Sequence, residues 1–139
     1  MSHTTDISNL IVLKLQGCPT IKTVYNYEPT LLAGWPTAVV TIKNGEGEFA
    51  DNRRSKRTHY FLIKVYVDVD PVTTNFKNSD AERITLLCLD EITNAFDSDI
   101  TLGGGTVIYC RPIDYNAEYV IRENAARVLQ LTLECVEVV

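Results

Sequence analysis

Apolar residues near the start of the chain recur at helical spacing. Ile7, Leu10, Ile11 and Leu15 fall at i, i+3, i+4 and i+8, one stripe of an amphipathic helix over residues 5–16. Thr5 or Asp6 can cap its start, Gly17 can close its end, and Pro19 prevents continuation. The run from Leu10 to Leu15 is also compatible with a strand. Residues 21–28, rich in β-branched and aromatic side chains, read as a strand ended by Pro29, and 37–43 as a second. The clearest strand is 58–69. Phe61, Ile63, Val65, Val67 and Val69 alternate onto one face, and Tyr60, Lys64, Tyr66 and Asp68 onto the other, with Leu62 as the exception.

After a loop opened by Asp70-Pro71, Ser79-Asp80-Ala81-Glu82 has the form of a capping box. Ile84, Leu87, Cys88, Ile92, Ala95 and Phe96 then mark the apolar face of a helix ending near Asp97. A strand is expected over 106–112, a turn with a short strand near Glu118 within 113–124, and a last strand over 126–138. In that last strand Leu129, Leu131, Leu133 and Cys135 share a face opposite Gln130, Thr132 and Glu134. The elements predict an α+β domain in the order α-β-β-β-α-β-β. Its largely antiparallel sheet has four to five strands, with two helices packed on one face. At 139 residues the chain is one domain, long enough to build a core without metal or disulfide.

Residues 44–57 stand apart: Asn-Gly-Glu-Gly-Glu-Phe-Ala-Asp-Asn-Arg-Arg-Ser-Lys-Arg. The acids Glu46, Glu48 and Asp51 precede the bases Arg53, Arg54, Lys56 and Arg57, with Phe49 between the blocks. The segment reads as a long charged hairpin loop between two strong strands. Loops of that length are usually functional or disordered. An arm of this composition is nearly self-neutral, which favours a polar assembly contact over DNA binding and makes these eight residues the candidate site.

The net charge is −5, from 18 acidic and 13 basic residues, which argues against sequence-independent clamping of nucleic acid. Cys18, Cys88, Cys110 and Cys135 are too far apart for metal-binding pairs and are expected as buried free thiols. His3 and His59 have no sequence neighbour that would make a metal pair. Asp97 and Asp99 fit helix-end turn chemistry, and Gly103-Gly104-Gly105 leads into a strand rather than a phosphate-binding helix. No nucleophile elbow or Cys/His pairing is seen, so no enzymatic activity, metal or cofactor is expected. The start lacks the basic region of a signal peptide, and no segment approaches a membrane span, so a cytosolic protein is expected.

Pro19 to Pro29 with the following Gly-Trp-Pro turn resembles the tail terminator (tail completion) proteins of long-tailed bacteriophages. So do Gly45 to Asp51, the strand Tyr60 to Val67, Ala95-Phe96-Asp97 and Thr101-Leu102-Gly103-Gly104. The resemblance covers most of the chain. It implies a virion structural protein that forms a ring, usually a hexamer, at the head-proximal end of the tail tube. Such a ring stops tube polymerisation and presents the surface that joins the head. The implied partners are further copies of the chain, the tail tube protein, and a head connector or neck protein, with DNA passing through the lumen without specific binding. Assembly would take place in the host cytoplasm. Another neck or head-completion ring protein, and a small ligand-binding domain, are the competing readings.

Overall fold

The computed structural model describes residues 3–29, 36–49, 55–68, 78–99, 102, 107–121 and 125–138. Helix α1 runs over His3–Gln16 and strand β1 over Thr23–Tyr25. Strands β2 (Thr37–Phe49) and β3 (Ser55–Asp68) follow, then helix α2 (Asn78–Asp97) and strands β4 (Val107–Ile121) and β5 (Ala125–Val138). This is the expected α+β order. The five-stranded sheet has the order β1-β2-β3-β5-β4, antiparallel throughout except for the parallel β1–β2 pair.

Both helices pack on one face. From α1 the stripe Ile7, Ile11 and Leu15 is buried, with Leu10 at its margin. From α2 the buried row is Ala81, Ile84, Thr85, Cys88, Ile92 and Phe96. These meet Ala38 and Val40 of β2, Phe61, Ile63, Val65 and Val67 of β3, and Leu129, Leu131, Leu133 and Cys135 of β5. Alternation thus assigned the core face of β3 and β5 correctly; Val69 lies outside the described residues. Leu87 does not belong to the core stripe. It is 40% exposed, because the helix turns Thr85 inward instead, where its hydroxyl can donate to the Ala81 carbonyl at 2.7 Å. Glu82 is paired with Arg127 of β5 at 3.1 Å, and the side chain of Ser79, the other half of the capping box, lies outside the described residues.

Three boundaries differ from the sequence reading. The strand expected over 21–28 is only three residues long. Ile21 turns into the core, and the chain bends at Asn26–Tyr27, where Glu28 accepts a hydrogen bond from Tyr66 at 2.6 Å. Residues 44–49 and 55–57 are not a loop but a continuation of the β2–β3 ladder, with Glu46 opposite Thr58, Glu48 opposite Lys56 and Phe49 opposite Ser55. Finally, β4 runs unbroken through the turn expected after Pro112. A register shift between Pro112 and Asp114 absorbs the irregularity, and Pro112 is tolerated because β4 is an edge strand.

The cysteine expectation holds for Cys18 and Cys88, which are free and buried. It fails for Cys110 and Cys135, which lie opposite each other on β4 and β5 and are joined by a disulfide. Twenty-five residues of sequence separate them, and only the register brings them together.

Candidate functional site

The charged segment is the far end of the β2–β3 hairpin. A bulge at Lys43, between the pairs Ile42–Phe61 and Asn44–Tyr60, changes which residues face the helices. Before it, Ala38, Val40 and Ile42 take the helix side. After it, Gly45 takes the helix side, while Asn44 and Glu46 share the opposite, open face with Tyr60. A Cβ on Gly45 would stand 2.9 Å from the Thr58 carbonyl oxygen and 3.5 Å from His59 Nδ1, so the ladder closes there only with glycine.

Of the eight candidate residues, Glu46 is exposed on β2, and Lys56 and Arg57 lie on β3, where they also pair with Val138 and Glu137 of β5. Glu48 and Phe49 occupy ladder positions near the hairpin tip. Asp51, Arg53 and Arg54 lie outside the described residues. The structure therefore joins part of the set to the sheet rather than to a free loop.

Two clusters flank this arm, and neither was visible in the sequence. On the open face, Glu134 of β5 accepts hydrogen bonds from Tyr109 (2.8 Å) and Tyr60 (3.5 Å), and Arg111 approaches it at 3.5 Å. The Arg111 guanidinium also lies 5.2 Å from the centre of the Tyr109 ring. The Tyr109 hydroxyl is pushed above its ordinary range by its bond to Glu134. That of Tyr60 is raised by removal from water and by the carboxylates of Glu46 and Glu134. The alternation of Gln130, Thr132 and Glu134 signalled a polar face, but not that β3 and β4 would aim tyrosines at one point of it.

On the helix side, at the root of the arm, His59 Nε2 stands 2.9 Å from Glu137 Oε1. Glu137 is only 2% exposed, and its second oxygen has no hydrogen-bond partner among the described residues. His59 thus has a partner 78 residues away.

The helix ends form a third polar group. Lys14 of α1 pairs with Asp99 at 2.8 Å, so Asp99 ties the two helices together rather than only shaping a turn. Thr20 donates its amide to Glu91 at 3.0 Å and its hydroxyl to the same carboxylate. An open groove of about 560 Å³ lies there, lined by Lys14, Cys18, Glu91 and Ser98 among others. Burial and the nearby Glu91 raise the Cys18 thiol, and burial, Glu91 and Cys18 push that of Cys88 up to about 12. Both stay protonated at neutral pH, the opposite of an activated nucleophile. No group of three or more metal-ligating side chains occurs among the described residues. No described helix is long and apolar enough to cross a membrane.

No protein-family model matches the chain, and no curated protein matches it. Among solved structures it is similar to a chain of the "Virion of native gene transfer agent (GTA) particle". Identity is 18% over 91% of this chain and 84% of that one, with a TM-score of 0.48. A likeness at that level carries no argument about function.

Proposed function

We propose that the chain is a structural virion protein with no chemistry of its own, forming a ring of six copies at the head-proximal end of a phage tail tube. There it stops tube polymerisation and offers the head-joining surface. The observation that carries this reading is the β2–β3 arm. It continues the ladder beyond the Lys43 bulge, and its residues from Lys43 to Gly47 are solvent-exposed. A monomeric domain gains little core from such an extension, whereas a subunit needs a rigid projection to meet its neighbours. The resemblance of the same segment, Gly45 to Asp51, to tail terminator proteins supports it from the sequence side. The net charge of −5 suits a ring through which DNA passes without condensing on it.

Polymerisation of the tail tube protein with and without this chain tests the reading. Electron microscopy should show tubes of limited length, each carrying one ring at one end. Tubes that grow to the same length with and without the chain, and carry no ring, would overturn it.

A further inference from the structure

The sheet has two dissimilar outer edges. At one end β1 covers only Thr37–Val39 of β2, so from Val40 to Phe49 the side of β2 away from β3 has no strand among the described residues. At the other end β4 is bonded to β5 on one side and to no described strand on the other.

β4 does not present a plain ladder. Pro112 lacks an N–H, and register shifts at Val107/Tyr109 and Pro112/Asp114 leave Ile108 and Ile113 as extra, unpaired residues. Both point to water, 47% and 44% exposed, and Tyr115 is 62% exposed on the same strand. Three of the eight large apolar side chains exposed among the described residues therefore lie on this edge strand. Arg111, 58% exposed, lies on the open face of the same strand, opposite Glu134.

The β2 edge is complementary. It exposes Ile42, and beyond the bulge it carries Glu46 on the open face. The two edges are also level. Glu46 pairs with Thr58, Thr58 with Val136, and Val136 with Tyr109, so one row across the sheet runs from Glu46 to the neighbourhood of Arg111. A second copy placed beside β4 in the same orientation would bring its Glu46 next to Arg111 on a shared open face. Its β2 would run antiparallel to β4, because each of the three intervening pairings is antiparallel.

We propose that β4 is the surface through which one copy binds the next, and that it receives the β2 edge of a second copy of this chain. The contact is made by side chains: Ile108, Ile113 and Tyr115 against the apolar part of β2, and Arg111 against Glu46. Because the two surfaces differ, the contact is head-to-tail, and a small rotation between successive copies closes it into a ring. This rests on the ring reading above.

Charge exchange tests it with the full chain. Arg111→Glu and Glu46→Arg should each weaken self-association about tenfold at low salt, read by sedimentation velocity over a range of concentrations. A mixture of the two variants should restore it, since each new contact then pairs unlike charges. Ile113→Asp, at an exposed position, should also block association while the circular dichroism spectrum stays that of the wild type. If rings form and these variants assemble as the wild type does, or if the mixture is no better than either variant, the edge assignment is wrong and the ring reading stands. If the wild-type chain is monomeric at every concentration and absent from tubes, both fall.

Discussion

Cys88 shows how burial, with Glu91 and Cys18 nearby, sets chemistry at a single residue. Its thiol, pushed up to about 12, holds its proton in the folded state, while in the unfolded chain it ionises near its ordinary value of 9. Between those values the folded state binds more protons, so stability falls as pH rises through that window and levels once the folded thiol also ionises. Melts between pH 8 and 11 should show this loss, and Cys88→Ala should reduce it. His59 pairs with one oxygen of Glu137, a carboxylate that is only 2% exposed. His59→Ala should cost about 3 kcal/mol by stranding the carboxylate. A double change of His59 and Glu137 to leucine should lie closer to the wild type than that single variant in denaturant melts.

At the scale of elements, the pairing of α2 with β3 and β5 carries most of the core. Leu131→Ala or Ile63→Ala should destabilise the domain by about 2–5 kcal/mol, since both are fully buried. Leu87→Ala should cost under about 1 kcal/mol, because that side chain is 40% exposed. The arm is where the structure changes an expectation most. A charged loop could be replaced with little effect on folding, but Lys56 bonds into ladders with both β2 and β5. Replacing residues 46–56 with a short turn should therefore cost about 1–3 kcal/mol in chemical denaturation. Unchanged stability would mean that the ladder beyond the bulge contributes nothing.

For the whole molecule, the two unlike sheet edges matter more than any cavity. A sheet left open at both ends invites uncontrolled pairing, and β4 limits it with Pro112 and two bulges while leaving apolar side chains exposed. That combination suits a defined neighbour better than an isolated domain. The ring and the edges it uses are separable claims, one tested on tail tubes and the other by charge exchange.

Periodicity alone determined the helix stripe Ile7, Ile11, Leu15 and the shared face of Phe61, Ile63, Val65 with Leu129, Leu131, Leu133, because burial on one side imposes a repeat that survives in one dimension. It also determined the element order. It misread 44–49, 55–57 and 113–117, since glycine, proline and charge signal turns locally, whereas a ladder is held by partners distant in sequence. Only the tertiary structure decided that Cys110 meets Cys135, that His59 meets Glu137, and that Tyr60, Tyr109 and Arg111 converge on Glu134. Each of these depends on strand order and on bulges that shift register by one residue. That shift moves a side chain to the other face of a sheet without leaving a mark in the pattern of apolar and polar positions.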